Sequence, residues 1–259
     1  MIICSISTIP GRINGLIEVL NCIKNQSLLP HKIFITIAEI YPRINQTYPN
    51  EDYNKLQSYI LSFPILTEII RIKEDIGPIV KLTTPLDYVN NVEEDVIVIL
   101  DDDTLIFKET IELLYTSYKK YGDAVYGFIG VMNNNPSIFH HGEHIFGCDI
   151  LPIDMLGGYR GVLYPIKLIY NDLSKWVQIF INEHQKQGLI TLHDDHIFNY
   201  FLTYKKIKKY IVKIPTNNGE LKYRYIHNTD GIFGSNNHHE SLMLTVDINE
   251  KINNGIITV

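Results

Sequence analysis

The sequence predicts an α/β fold: a mostly parallel central sheet flanked by helices, followed by a less regular C-terminal half. Three observations predict it. Val96-Ile97-Val98-Ile99-Leu100 is a continuous apolar run of strand length, as expected of a strand buried on both faces. Through residue 131, β-branched runs alternate with segments of helical period, the pattern of βαβ units with right-handed crossovers. Hydrophobic residues make up 45% of the 259, enough to bury a sizeable core.

The elements follow in order. Ile2–Ile6 is a short apolar strand that stops at Ser7-Thr8-Ile9-Pro10-Gly11, a turn signal. Ile13, Leu16, Ile17, Leu20 and Ile23 recur at helical spacing. Lys32–Ile37 reads as a second strand, residues 51–61 as a helix and Leu66–Ile72 as a third strand. Asp75-Ile76-Gly77-Pro78 is a turn, and Ile79–Tyr88 a helix broken or started by Pro85. The strand at 96–100 comes next. Ile111, Leu114, Tyr115 and Tyr118 then mark a helix over Lys108–Tyr121, and Ala124–Val131 is another apolar run.

Beyond 131 the pattern loosens. Residues 133–165 are rich in Asn, His, Gly and Pro. A helix is expected within 172–187 and another over 195–206, opening at Asp194-Asp195, since carboxylates suit a helix N-terminus. Lys208–Ile214 reads as a strand, and the tail after 216 shows turn chemistry without a period. No linker marks a boundary, so residues 1–259 are expected to form one domain with halves 1–131 and 132–259.

Composition narrows the function. A formal charge of −6 disfavours a nucleic-acid partner. Cys4, Cys22 and Cys148 are odd in number and far apart, which argues against a disulfide framework and suits a reducing compartment. No signal peptide is evident, and no stretch approaches the roughly 20 apolar residues of a membrane span. A cytoplasmic protein without a transmembrane segment is expected.

Asp101-Asp102-Asp103 stands where the apolar strand ends, the end at which open α/β sheets take their ligands. Adjacent carboxylates repel one another and resist desolvation, so they call for a cation. A hard divalent ion, Mn²⁺ or Mg²⁺, prefers such oxygen donors and is commonly completed by substrate phosphates. An acidic turn is the plainer alternative. Three more features follow earlier strands and fall on the same sheet edge: Thr8-Ile9-Pro10-Gly11-Arg12, Glu39, and Asp75 to Lys81. Together they offer backbone amides, acceptors for a base or ribose, two cations and a metal site. A nucleotide diphosphate needs that inventory.

These residues resemble the GT-A fold nucleotide-sugar glycosyltransferases, close to the glycosyltransferase family 2-like group, which have a Rossmann-like sheet. The likeness rests on Thr8-Ile9-Pro10-Gly11-Arg12 and on Asn25-Gln26-Ser27 with Pro30. It extends to Asp75-x-Gly77-Pro78-x-x-Lys81, the Asp-x-Asp motif at Asp101–Asp103, Gly157-Gly158-Tyr159-Arg160-Gly161 with Tyr164-Pro165, and Asp194-Asp195. It spans about 200 residues in the family's order.

The resemblance implies roles. Thr8, Arg12, Glu39 and Asp75 would hold the nucleoside, and Lys81 the diphosphate or sugar. Asp101 and Asp102 would face the ribose and donor sugar, with Gly158 approaching the sugar closely. Asp103 would bind the metal with Asp101 beside it, and His227 would complete the site, with His238 in reserve. Asp195, or Asp194 next to it, would be the base of an inverting transfer from a UDP-sugar. The acceptor is open among glycan, protein and lipid.

Two rivals remain. A phosphatase of the haloacid dehalogenase type also follows a strand with Asp-x-Asp, but it wants Thr or Val where Leu105 stands. A non-catalytic sugar-nucleotide or glycan-binding module is the other. His140-His141-Gly142-Glu143-His144 reads as loop, because Gly142 opposes the helix that would align ligands. Lys205, Lys206, Lys208 and Lys209 read as a solvated helix end.

Overall fold

A computed structural model describes residues 1–132, 145–146, 150–189, 192–212, 224–225 and 238–259. At its centre lie β1 (Ile2–Ser7) and β5 (Val96–Asp101), parallel neighbours that register Ile2 with Val96 and Ser7 with Asp101. On the other side of β1 runs β2 (Lys32–Tyr41), also parallel, and beyond it β4 (Leu66–Glu74). The short β3 (Gln46–Thr47) turns back against the end of β2.

Alternate residues of the central strands face different cores. Ile2, Cys4, Ile6, Val96, Val98 and Leu100 join one cluster, whereas Ile3, Ile97 and Ile99 join the other. A strand covered on both faces has no solvent side, which is why 96–100 carries no polar alternation. The first face is covered by α1 (Ile13–Lys24), α2 (Asn50–Leu61) and α4 (Thr110–Tyr121). The second receives the one-turn α3 (Val80–Thr83), α5 (Leu173–Lys186) and α6 (Asp194–Tyr204).

The expected parallel sheet is interrupted in one place. Val125–Gly127 (β7) does not pair with β5. Instead β12 (Val162–Pro165), from the second half of the chain, lies antiparallel between them. The sheet continues through β13 (Lys209–Ile211), parallel to β7, to β10 (Leu151–Pro152). Both halves of the chain therefore share one nine-stranded sheet. The run at 124–131 is also two strands, not one. Ile129–Val131 (β8) leaves the main sheet to pair with β9 (Ile145–Phe146) and β11 (Met155–Leu156).

Three more differences are local. Ile79–Tyr88 is a single α-turn that runs into a 3₁₀ turn over Thr84–Tyr88, where Pro85 removes a backbone donor. The strand expected over Lys208–Ile214 spans only Lys209–Ile211. The tail holds a 16-residue helix, α7 (His238–Asn253), that periodicity missed. Its buried stripe, Ser241, Leu244, Thr245, Ile248 and Ile252, has helical spacing, but two members are hydroxyls that dilute the apolar signal. The threonine hydroxyl has a reason. The buried His184 of α5 lies 2.8 Å from Phe180 O and 3.2 Å from Thr245 Oγ1. Burial lowers its pKa and favours the neutral ring.

Gln26, in the Asn25-Gln26-Ser27 segment, is a structural staple. Its buried amide donates to Phe107 O (2.8 Å) and accepts from the Ile111 N–H (3.1 Å), satisfying an open amide at the start of α4. Gln26→Ala should leave the Ile111 N–H buried and unpaired, while Phe107 O keeps the Thr110 N–H and hydroxyl. We expect a loss of about 1–3 kcal/mol in urea-induced unfolding, and an unchanged midpoint would remove Gln26 from this role.

Candidate active site

The loops after β1, β4 and β5 and the N-terminus of α6 meet at one rim of the sheet. β1 delivers Thr8 and Arg12. The Thr8 carbonyl accepts from the Tyr41 hydroxyl (2.9 Å), which itself accepts from the Ala38 N–H (2.8 Å). A buried tyrosine thus ties the first loop to β2.

The acidic triplet at the end of β5 does not converge on one point. Asp102 is buried, with Oδ2 accepting from Thr8 Oγ1 (2.6 Å) and Oδ1 from Arg12 Nη1 (2.8 Å). Burial raises its pKa, while Arg12 and Thr8 pull the other way. Arg12 Nη1 also reaches Asp103 Oδ2 at 3.1 Å. Asp101 accepts from Lys81 Nζ at 2.7 Å. The cations expected at this edge therefore sit against the acids.

Lys81 is the hub. Its side chain is 4% exposed, and Nζ lies 2.7 Å from Asp101 and 2.8 Å from Asp194 Oδ2. Burial opposes its charge, but Asp101, Asp194 and Asp195 outweigh that and hold its pKa well above the usual lysine value. One ammonium thus joins the end of β5 to the start of α6.

Asp195 is placed differently. Among the described residues its carboxylate accepts one hydrogen bond, from the Gly158 N–H to Oδ1 at 3.0 Å. It stays partly accessible, yet crowding by protein atoms, and next the neighbouring Asp194 charge, push its pKa up to about 8. Gly158 has no room for a side chain: a Cβ there would stand 2.6 Å from Asp195 Oδ1 and 3.7 Å from Lys81 Nζ. The glycine brings its backbone to the carboxylate of Asp195.

Two expected donor residues have partners outside this cluster. Asp75 is buried, accepting from Arg43 Nε (2.5 Å) on Oδ2 and from the Gly77 N–H (3.1 Å) on Oδ1. Arg43 was not singled out from the sequence, where a lone arginine after Tyr41-Pro42 has no periodic or motif context. Glu39 is exposed and forms an ion pair with Arg71 at 3.6 Å. Tyr164 is packed edge-on against Phe198 and buried.

Asn199, one helical turn beyond Asp195, was also missed. Its Nδ2 donates to Leu156 O (2.8 Å) and to Asp195 O (2.6 Å), while Oδ1 accepts from the Leu156 N–H (2.8 Å). Lys209, read as solvated, is buried: Nζ donates to Thr203 Oγ1 at 2.7 Å, and burial brings its pKa down to about 8. The signal for Asn199 was its four-residue spacing from Asp195.

Among the described residues no group of three or more His, Cys, Asp or Glu side chains is arranged to hold a metal ion. Asp101 and Asp103 nonetheless suit a hard cation in part. Their side chains are 25% and 37% exposed, and Asp103 is raised above the usual carboxylate range by burial and then by the Asp101 charge. Two mutually repelling carboxylates open to solvent are a partial set of oxygen donors. His227 and the His140–His144 segment lie outside the described residues. Tyr225 pairs with Thr104, the residue after Asp103, through β14 (Arg224–Tyr225) and β6 (Thr104–Leu105). His238 opens α7.

No protein-family model matches this sequence, and no curated protein matches it. Solved structures do match its fold. S. aureus TarS 1-349 in complex with UDP-GlcNAc superimposes with a TM-score of 0.58 at 11% identity, covering 96% of this chain and 66% of that one. The same protein with UDP gives 0.54 at 11% identity, over 95% and 64%. A mannosyltransferase of Pyrobaculum calidifontis in complex with GDP-Man and Mn²⁺ gives 0.50 at 10% identity, over 83% and 57%. The chain thus spans about two thirds or less of these proteins. The fold is GT-A-like, a mostly parallel sheet flanked by helices. No helix among the described residues is long and apolar enough to cross a membrane.

The raised pKa of Asp195 makes stability depend on pH. The folded value, about 8, exceeds the unfolded value of about 4. Its contribution is therefore full below pH about 4 and is lost as pH rises toward 8. Asp195→Asn should flatten that part of the stability curve in urea unfolding at a series of pH values. Parallel curves for the two proteins would refute the assignment.

Proposed function

We propose that this protein is a metal-dependent glycosyltransferase that moves a sugar from a nucleotide diphosphate, a UDP-sugar, to an acceptor hydroxyl with inversion. One observation carries the reading. Five carboxylates, Asp101, Asp102, Asp103, Asp194 and Asp195, share the rim of the parallel strands with two cations, Arg12 and Lys81. Such a rim repels a diphosphate. A divalent cation held by Asp101 and Asp103 would reverse that repulsion, so metal and donor would belong to the same site.

The solved neighbours support the choice of ligands. The mannosyltransferase binds GDP-Man with Mn²⁺, and TarS binds UDP-GlcNAc and UDP. The TarS complexes are what support uridine. Two free thiols, Cys4 and Cys22, suit a cytoplasmic setting.

The chain's own groups then divide the work. Thr8, Arg12 and Asp75 border the nucleoside end, with Thr8 and Arg12 holding Asp102 as a rigid carboxylate. Lys81 remains an ammonium near the diphosphate and keeps Asp101 and Asp194 from repelling each other. When bound, the metal supplies charge stabilisation for the departing diphosphate. Asp195 accepts the proton of the acceptor hydroxyl as that oxygen bonds to the sugar's anomeric carbon. The bond from that carbon to the diphosphate oxygen breaks, and its electron pair leaves with the nucleotide. A pKa near 8 suits a base working near neutrality. The Gly158 N–H aims the carboxylate.

A panel of nucleotide sugars tested for Mn²⁺-dependent thermal stabilisation would identify the donor. A hundredfold excess over Kd stabilises by about 2.7 kcal/mol, several degrees of Tm for a chain of this size. Silence across the panel would overturn the donor assignment. Asp103→Ala should abolish the Mn²⁺-dependent part of UDP binding in calorimetry, and an undiminished titration would exclude Asp103 as a ligand. Asp195→Asn should still bind donor while transfer falls by about 10² to 10⁴-fold; full turnover would exclude it as the base.

A further inference from the structure

Asn199 hydrogen-bonds backbone groups, and these lie on the segments that carry both partners of the Gly158–Asp195 hydrogen bond. Its buried amide pairs with Leu156 as a neighbouring strand would, accepting from the N–H and donating to the C=O, each at 2.8 Å. Leu156 ends β11, two residues before Gly158. The same Nδ2 donates to the carbonyl of Asp195 at 2.6 Å, one helical turn before Asn199 itself. A short strand and a helix N-terminus from distant parts of the chain are thereby clamped by one side chain.

We propose that Asn199 is a positioning residue, whose amide fixes the backbone of Gly158 and the carboxylate of Asp195 relative to each other. The consequence for catalysis rests on the reading of Asp195 as the base. Only an amide meets the need. It must accept once and donate to two carbonyls, as asparagine does. Aspartate keeps the acceptor but turns a charge toward two carbonyl oxygens. Leucine leaves the Leu156 amide and both carbonyls buried without this partner. The clearance is small, since a Cβ on Gly158 would lie 2.6 Å from Asp195 Oδ1. A shift of β11 against α6 therefore changes the Gly158–Asp195 hydrogen bond directly.

Lys209 reinforces the clamp from beneath. Its buried Nζ lies 3.4 Å from the Asn199 carbonyl and 2.7 Å from Thr203 Oγ1, holding the next turn of α6 against β13. The side-chain hydrogen bonds of Asn199 go to Leu156 and to the Asp195 carbonyl. Its loss should spare donor affinity and reduce turnover.

The test uses the full chain and two readouts. With the donor identified, Asn199→Asp and Asn199→Leu should lower kcat by about tenfold to a hundredfold with donor KM unchanged. Asn199→Gln, which keeps the amide, should recover part of the loss. Independently of activity, the Gly158 amide resonance should move in the Asp and Leu variants toward its position in Asp195→Asn. Unchanged kcat and an unmoved resonance in a folded variant would overturn the proposal. Should both variants fail to fold, hydrogen exchange on the wild-type protein decides. The Leu156 and Gly158 amides should open together with α6, and opening independent of α6 would overturn it. A wild-type protein that transfers nothing, but whose Gly158 resonance responds as stated, would refute the function and leave the positioning role standing.

Discussion

The ammonium of Lys81 is set between carboxylates that arrive from two directions, Asp101 at the end of β5 and Asp194 at the start of α6. Without that cation the sheet rim and the helix terminus would repel each other across a nearly dry contact. Removing one partner of a buried ion pair typically costs about 3–5 kcal/mol, because the remaining charge is left uncompensated. Lys81 stands on the one-turn helix α3, between Val80 and Leu82, both buried in the core. That apolar footing fixes where its charge sits, and so how near the two acidic segments can come.

Around this hub the acids fall into two kinds. Asp75 and Asp102 are buried and satisfied on both oxygens, by Arg43 and Gly77 in one case and by Thr8 and Arg12 in the other. They act as parts of a rigid frame. Asp101, Asp103 and Asp195 remain more open, and burial first, then a neighbouring carboxylate charge, raises the pKa of the last two. Groups left in that condition are the ones a cation or a proton can engage. The rim is thus rigid where it must hold shape and electrostatically unsettled where chemistry is proposed.

Much of this was legible in the residues. The apolar run at 96–100 announced a doubly covered strand, and the two hydrophobic clusters on either side are the reason it carries no polar alternation. Thr8, Arg12, Lys81, Asp101, Asp102 and Asp103 follow strands, and parallel pairing necessarily collects strand ends at one edge. Asp194-Asp195 opened a helix as carboxylates tend to do. The compensation of the triplet was read too narrowly. A single divalent cation seemed the cheapest answer, yet Arg12, Thr8 and Lys81 already take up much of the charge.

The order of apolar and polar residues determined the parallel core, the edge where polar groups gather and most of the residues found there. Those are local properties, set by period, turn chemistry and the rule that strand ends align. Tertiary structure alone decided that β12 would enter antiparallel between β5 and β7, that β8 would leave the sheet, and that α7 would cover α5. It alone brought Gly158 to Asp195, Arg43 to Asp75 and Asn199 to Leu156. These pairs are separated by 37, 32 and 43 positions in the chain. Contacts over such distances depend on which surfaces bury each other, and no window of neighbouring residues carries that information.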